Sequence, residues 1–313
     1  MSKKVLVSGG TGFIGKNLII GLIDKGYKVF AIVRNKKKIE LEQNYMPSLK
    51  LVDVDQLFDM DYECPCFDVC YNLAAYGVNS KDRNLKEYID GNITFSVQLM
   101  NFCYKNKTKK FIHTGSCYEY GYEGNQFHKT KETDAVKPAN IYGATKASSV
   151  IILKTMAELY KMTMITLRPF GVFGEYEGVH RLIPQVISAI LKKEPLAMTE
   201  GTQVRDYLYI RDLVNAYIIA SEEELPLYEE YNVCSSNAIS IRSLVDLLVK
   251  TNKLDSKYLN FGEIPIRKNE WMYYVGDNTK IKKYSSWKPM YSLEEGLKRT
   301  YDWYYNLLMR GER

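Results

Sequence analysis

A tyrosine and a lysine with a spacing suited to acid–base chemistry stand near the middle of the chain, at Tyr142 and Lys146. Residues 142–160 have helical periodicity, and side chains four residues apart share one face of a helix. A phenol with a pKa of about 10 is a weak base at neutral pH, but a neighbouring ammonium favours the phenolate. The pair is therefore suited to exchange a proton with a hydroxyl or keto oxygen.

Three evenly spaced glycines follow the first apolar run of the chain. Residues 5–8 predict a strand, residues 13–25 predict a helix, and the glycines fall at their junction. In such units the glycines allow a tight turn, close approach of a pyrophosphate, and packing of helix on strand. The helix N-terminus attracts the phosphates. The sequence thus predicts a dinucleotide site, and with Tyr142 it predicts hydride transfer. The expected contacts are Gly9, Thr11, Gly12, Phe13, Ile14 and Gly15.

Short apolar runs alternate with helical segments through the first half of the chain. Strands separated by helices in this way form parallel sheets covered on both faces. We therefore expect an α/β fold, a doubly wound parallel sheet of the Rossmann type. The predicted strands cover residues 5–8, 28–33, 49–54, 69–73, 111–114 and 164–168, and the predicted helices cover 13–25, 85–106 and 142–160.

The second half of the chain is less regular. We expect residues 1–168 to form a dinucleotide-binding domain and residues 169–313 a smaller C-terminal α+β lobe that binds substrate. A strand near residues 205–220, at 207–210, is expected to rejoin the first domain. Helices are predicted at 183–192, 211–220, 241–249 and 293–308.

Composition argues against several other functional classes. No apolar run approaches the ~20 residues that span a bilayer, so we expect no membrane association and a cytoplasmic location. Six scattered cysteines and three histidines predict no metal site. The net charge is +6, with lysine clusters at 36–38 and within 107–110. No nucleic-acid-binding motif accompanies them, so no nucleic-acid partner is expected.

Together these motifs resemble the extended short-chain dehydrogenase/reductase family, in its NAD-dependent epimerase/dehydratase group that acts on nucleotide sugars. The resemblance covers nearly the whole chain. It implies that Ser116, five residues before Gly121, is catalytic with Tyr142 and Lys146 and hydrogen-bonds the same substrate oxygen. It also implies cofactor contacts from Asp53 and Val54, from Leu73, Ala74 and Ala75, from Asn92, and from Tyr142 and Lys146 themselves.

The same resemblance implies how a nucleotide-diphosphate sugar would be held. Arg205 and Arg267 fall in segments that bind the diphosphate in the family, and Tyr118, His180 and Arg181 are candidate sugar contacts. It further implies a homodimer. The cofactor that the resemblance implies is NAD(P)(H), and the choice between NAD and NADP is left open. Arg34 after the second strand favours a 2′-phosphate, but it is equally consistent with an exposed turn residue.

Departures from the family pattern narrow the reaction. Dehydratases of the family follow the catalytic Ser/Thr with Asp-Glu, and this chain has Cys117 and Tyr118 there, which argues against dehydration. We expect a 4-dehydrogenase or 4-ketoreductase of a nucleotide-activated hexose or heptose in surface polysaccharide biosynthesis, for example GDP-heptose or a dTDP- or GDP-6-deoxysugar. The alternatives are a 4-epimerase that retains NAD and a non-catalytic dinucleotide-binding protein.

Overall fold

Strands and helices alternate through the part of the chain that the computed structural model describes, residues 2–34, 41, 43–59, 65–77, 84–121, 128–268 and 270–310. The lysine cluster at 36–38 lies outside these residues. The strands are β1 (Lys4–Ser8), β2 (Lys28–Val33), β3 (Leu49–Asp53), β4 (Val69–Asn72), β5 (Lys110–Thr114), β6 (Thr163–Pro169), β7 (Gly171–Phe173), β8 (Leu196–Met198), β9 (Val204–Tyr209), β10 (Glu229–Val233), β11 (Ala238–Ser240), β12 (Leu259–Phe261) and β13 (Tyr273–Tyr274). The helices are α1 (Phe13–Asp24), α2 (Val54–Leu57), α3 (Leu85–Ile89), α4 (Phe95–Lys105), α5 (Ile141–Tyr160), α6 (Leu182–Lys192), α7 (Ile210–Glu222), α8 (Ile241–Thr251), α9 (Thr279–Tyr284) and α10 (Leu293–Met309).

A seven-stranded sheet in the order β3-β2-β1-β4-β5-β6-β10 organises the first lobe, and all its neighbouring strands are parallel. This confirms the predicted Rossmann-type fold. The order reverses between β1 and β4, so the crossovers on either side of that point leave a crevice at the carboxyl ends of the strands.

Alternating side chains of the strands build two apolar layers. Val5 and Val7 face α1 and α7, whereas Leu6 faces α4 and α5. Leu18 and Leu22 of α1 are fully buried against the first face. Burial of this kind contributes about 25 cal/mol per Å² of apolar surface, so the helices are held by packing rather than by propensity alone.

The strand that completes the sheet is a correction to the sequence prediction. Residues 207–210 do not rejoin the first lobe as a strand, because β9 pairs with β7, β11 and β13 in a separate sheet. The returning strand is β10, which pairs with β6. Its sequence, Glu-Glu-Tyr-Asn-Val, has no apolar run, and it lies at the sheet edge, so it gave no strand signal. The segment at 211–220 does return to the first lobe, as helix α7 packed on α1.

The second lobe packs onto the first through a shared core. Buried residues of α6, α8 and α10 belong to the same apolar cluster as α1 and α7. Trp287 is buried in this cluster, and its indole nitrogen donates to the Asp212 carbonyl of α7 at 2.9 Å. Within the described residues, no helix is both long and apolar enough to cross a bilayer. The same residues contain no group of three or more His, Cys, Asp or Glu side chains arranged to hold a metal ion.

Candidate active site

Ser116 begins a short 3-10 turn directly after β5, at the carboxyl edge of the sheet. Its hydroxyl accepts a hydrogen bond from the Tyr118 amide at 3.2 Å and caps the turn. Glu119 closes the turn from the other end, because its Oε1 accepts from the Ser116 amide at 2.7 Å. This reciprocal capping fixes the direction of the serine side chain.

A buried ion pair supports that turn from beneath. Glu119 is fully buried, and its Oε2 accepts from Arg168 Nε of β6 at 2.7 Å. Arg168 also donates to the Tyr120 hydroxyl at 3.0 Å, and that hydroxyl donates to Asn232 of β10 at 2.8 Å. Glu119 is therefore held by Arg168 and the Ser116 amide, in a structural role rather than as a catalytic acid.

Tyr142, in the first turn of α5, is brought to Ser116 by the tertiary structure. Burial raises the pKa of Tyr142, and the Ser116 hydroxyl, as a hydrogen-bonding group facing the phenol, opposes that shift. The sequence predicted a lowered pKa, driven by Lys146. The protein's own groups therefore keep the phenol protonated, which is the form that donates a proton to a keto oxygen.

Lys146 lies one turn further along α5 and is almost completely buried. Burial lowers the pKa of its ammonium to about 8, and the charge of Glu119 opposes this shift. At neutral pH the side chain therefore still carries its positive charge, close to the point where a proton could be exchanged. A positive charge next to a phenol stabilises the phenolate that forms when Tyr142 gives up its proton.

The glycine turn follows β1 and shows why these positions lack side chains. Gly9 has φ +71°, and a Cβ there would lie 2.7 Å from the Leu73 carbonyl carbon. A Cβ on Gly15 would lie 2.1 Å from the Gly9 oxygen, whereas one on Gly12 would meet only that oxygen, at 3.4 Å. Gly12 begins α1 without a side-chain cap, and the first turn contains no acidic residue. These features fit the pyrophosphate of NAD(P) at the positive end of α1.

The other predicted cofactor residues line the same edge of the sheet. Leu73, Ala74 and Ala75 follow β4, and the amides of the first two donate to Ser8 at the end of β1. Val54 begins α2. At the ends of the neighbouring strands β2 and β3 lie the exposed Arg34 and the partly buried Asp53, whose Oδ1 caps α2 by accepting from the Asp55 amide at 3.0 Å.

Asn92, predicted as a cofactor contact, makes hydrogen bonds within the protein that the sequence did not indicate. It is fully buried in a π-helical turn (Asp90–Thr94) between α3 and α4. Its Oδ1 accepts from the Tyr76 amide at 2.7 Å, and its Nδ2 donates to the Tyr76 carbonyl and to Thr145 Oγ1. With the amide used in this way, Asn92 anchors α5 beside Tyr142 and Lys146.

The predicted substrate residues fall into two groups. Desolvation raises the pKa of Tyr118, and the positive charges of Arg181 and Arg205 oppose that shift. Arg205 Nη2 donates to Glu270 at 2.5 Å, and Arg181 pairs with Glu177 at 3.5 Å. His180 and Arg267 are exposed, as are Tyr118 and Arg181, whereas Arg205 is partly buried.

An aromatic wall that the sequence analysis missed adjoins Tyr142. The Tyr118 ring lies 6.0 Å from the Tyr142 ring, edge to face, and 5.2 Å from that of Trp271, which lies 4.6 Å from Tyr274. The Tyr274 hydroxyl donates to the Cys117 carbonyl. Tyr118 and Trp271 are far apart in sequence, so the cluster forms only in the tertiary structure.

Known proteins resemble the chain over almost all of its length. It is 27% identical over 305 residues to CDP-abequose synthase from Salmonella typhimurium, covering 95% of this chain and 97% of the relative. It is 29% identical over 315 residues to a UDP-glucuronate 4-epimerase from Thermodesulfobacterium geofontis, covering 95% of each.

Solved structures match the fold described above. A UDP-N-acetylglucosamine 4-epimerase from Methanobrevibacter ruminantium, in complex with UDP-N-acetylmuramic acid, is 28% identical with a TM-score of 0.87, over 97% of this chain and 99% of that one. A UDP-glucuronic acid 4-epimerase from Bacillus cereus, in complex with UDP-glucuronic acid and NAD, is 26% identical with a TM-score of 0.83, over the same shares.

The sequence pattern of one family, described as the NAD dependent epimerase/dehydratase family, matches residues 5–234. That range includes the glycine turn, Ser116 and the Tyr142–Lys146 pair, and the resemblance predicted from these motifs is confirmed. The chain therefore belongs to the NAD dependent epimerase/dehydratase family and is an NAD(P)-dependent enzyme of that family.

Proposed function

We propose that the protein is a reductase or dehydrogenase that transfers hydride between NAD(P) and C4 of a nucleotide-activated hexose or heptose. The observation that carries this proposal is the meeting of Ser116, Tyr142 and Lys146 at the sheet edge that also forms the glycine turn. A neutral phenol, a serine hydroxyl and a buried ammonium there support proton exchange with one substrate oxygen.

Reduction uses these groups in a simple order. Bound NAD(P)H supplies the hydride. Tyr142 donates its proton to the keto oxygen, while Ser116 hydrogen-bonds that oxygen and fixes its direction. Lys146 then stabilises the tyrosinate by its charge. Oxidation of the alcohol uses the same groups in reverse.

The residues after Ser116 argue against elimination of water. Burial raises the pKa of the Cys117 thiol to about 12, and the pKa of Tyr118 is raised as well. Neither side chain can supply the carboxylic acid and carboxylate that dehydration needs, and Glu119 is held by Arg168. The aromatic ring of Tyr118 instead forms a wall beside the reacting position.

The substrate class rests on the relatives and on the arginines whose charges act on Tyr118. The related proteins are nucleotide-sugar enzymes by name, and Arg205 and Arg181 provide positive charge suited to a diphosphate. We infer a nucleotide-diphosphate sugar used in surface polysaccharide biosynthesis, such as GDP-heptose or a dTDP- or GDP-6-deoxysugar. Thermal-shift measurements with CDP, UDP, GDP and dTDP identify the base, because a ligand that binds the native state raises its stability.

The reaction is tested with a nucleotide-activated 4-keto-6-deoxyhexose and NADH or NADPH. A reductase consumes one reduced nicotinamide per sugar, followed by its absorbance and by product analysis. A second candidate, a 4-epimerase with retained NAD, is favoured by the resemblance to two solved 4-epimerases. It would interconvert UDP-sugars with no net change in that absorbance. Dinucleotide binding without either turnover would contradict both and leave a non-catalytic binding protein.

The cofactor preference is proposed from Arg34. This exposed residue directly follows Val33, the last residue of β2, which pairs with Asp53 at the end of β3. We expect Arg34→Ala to weaken binding of NADP at least about tenfold more than binding of NAD, because the 2′-phosphate of NADP loses its guanidinium partner. The matched control is Lys28→Ala at the opposite end of β2. Equal losses for the two cofactors would refute a role in reading the 2′-phosphate.

A further inference from the structure

A buried chain of polar side chains runs beneath the candidate site, from β1 through β4 and β5 to α5. Ser8 donates to Asn72 Oδ1 at 2.7 Å, and Asn72 Nδ2 lies 3.2 Å from His113 Nδ1. His113 Nε2 lies 3.2 Å from Ser149 Oγ, which donates to the Lys146 carbonyl at 2.8 Å. All four of the linking side chains are fully buried.

The direction of every hydrogen bond in this chain is fixed by backbone groups at its two ends. Ser8 Oγ accepts from the Leu73 and Ala74 amides, so its own hydrogen must go to the amide oxygen of Asn72. The Asn72 amide nitrogen must then donate to His113 Nδ1. At the other end, Ser149 donates to a carbonyl, so it accepts from His113 Nε2. Only the neutral imidazole with hydrogen on Nε2 completes this arrangement.

We propose that His113 is a positioning residue, which as a neutral imidazole holds the catalytic helix against the strand ends that form the dinucleotide turn. This inference rests on the proposed function in one respect only, namely that the helix held by His113 carries the catalytic residues. Burial and the charges of Lys146 and Arg168 lower the pKa of His113, in agreement with a neutral ring.

His113 acts through Ser149 and the backbone of α5 rather than by touching a reacting atom. His113 is fully buried behind α5, and its contact to the catalytic lysine ends at the backbone carbonyl rather than at Nζ. It therefore transfers no proton to Lys146. Instead it sets the distance between the turn after β1 and the first two turns of α5, where displacements of about 1 Å can cost a hundredfold in rate.

The first test needs no substrate. The protein has only three histidines, so selective ¹⁵N-histidine labelling gives three sets of ring signals, and those absent from His113→Gln belong to this residue. We expect the Nε2–H tautomer with no change between about pH 5 and pH 8, where an ordinary histidine titrates. A titrating His113, or hydrogen on Nδ1, would overturn the proposal whatever the enzyme's substrate.

The second test measures hydride transfer in a single turnover with the sugar that the proposed function identifies. We expect His113→Leu to slow transfer about tenfold to a hundredfold with the Kd for NAD(P) within about twofold. His113→Gln restores most of the rate, because its amide can accept and donate at the same two places. Ile112→Ala creates a cavity on the opposite face of β5 and serves as the control for lost stability. Transfer at the normal rate in His113→Leu, or equal slowing in Ile112→Ala, would overturn the proposal.

Discussion

Burial governs the protonation of both catalytic groups at the scale of single residues. It raises the pKa of the Tyr142 phenol and lowers the pKa of the Lys146 ammonium to about 8, in each case favouring the neutral form. Ser116 and Glu119 modify these effects through a hydrogen bond and a charge. The site thus begins with a protonated acid and a cation beside it, which suits reduction of a keto group.

Removal of the phenol hydroxyl tests its role directly. We expect Tyr142→Phe to slow hydride transfer by about a hundredfold to ten-thousandfold, because the phenol is the group that we propose to exchange the proton. The Kd for NAD(P) should stay within about twofold. Tyr160→Phe is the matched control, since its hydroxyl bonds Asn101 at the far end of the same helix. Undiminished turnover in Tyr142→Phe would refute the mechanism.

Glu119→Gln tests the electrostatic influence of the buried carboxylate. Its negative charge raises the pKa of both Tyr142 and Lys146, so neutralising it lowers both. Oxidation requires the tyrosinate, which exists above the phenol pKa. The acidic limb of the oxidation rate against pH should therefore move to lower pH. An acidic limb that keeps its position or moves to higher pH would contradict this account.

The same substitution should also destabilise the fold. It leaves the Arg168 guanidinium buried without its anionic partner, and breaking a buried pair costs about 3–5 kcal/mol. Urea unfolding measures the loss. Lys86→Gln, which breaks an exposed pair with Asp90, provides the comparison and should change the free energy of unfolding far less. Similar losses in the two variants would contradict a structural role for the buried pair.

The helices differ in whether a side chain caps the backbone amides at their N-termini. Side chains cap α5, α8 and α10, through Asn140, Ser240 and Ser292. Helix α1 begins at the sheet crevice with Gly12 as its cap and no acidic residue in its first turn. Its unpaired amides therefore keep their attraction for an anion, which the other three helices satisfy internally.

Two glycine substitutions separate folding from cofactor binding in this element. Gly15→Ala should lower both the melting temperature and NAD(P) affinity, because its Cβ would lie 2.1 Å from the Gly9 oxygen. The Cβ added in Gly12→Ala would meet only the Gly9 oxygen, at 3.4 Å. The melting temperature of this variant without cofactor should therefore change little. Its NAD(P) affinity should still fall about tenfold or more if the pyrophosphate approaches there. Normal affinity in Gly12→Ala would place the pyrophosphate elsewhere.

In the whole molecule, the loop between β7 and α6 contacts both lobes beside the crevice. Asn17 of α1 donates to the Glu175 carbonyl at 2.9 Å, and the Tyr209 hydroxyl of β9 donates to the Glu175 carboxylate at 2.5 Å. The Tyr304 hydroxyl of α10 donates to the Glu177 carbonyl. The loop between β7 and α6 thus contacts the helix that would bind the cofactor and the lobe that would bind the sugar.

The outer face of α5 is where we propose that two copies associate. Ile151 and Leu159 are 64% and 75% exposed there, and Tyr104 of α4 stacks on Tyr160 next to them. We expect a homodimer by light scattering, and Ile151→Lys with Leu159→Lys should convert it to a monomer because charges would face an apolar interface. Met290→Lys, at an exposed site in the other lobe, is the control. A wild-type monomer would refute the assembly.

Features that depend on neighbours along the chain could be predicted from the sequence. The spacing of Gly9, Gly12 and Gly15 and of Tyr142 and Lys146 specified a turn and a helix face, and six of the seven strands of the parallel sheet followed from their apolar runs. The tertiary structure alone decided what joins distant segments. It placed Glu119 on Arg168, Asn92 on Thr145 and the edge strand β10 on β6, since such pairings depend on strand order and burial, which leave little trace in local sequence.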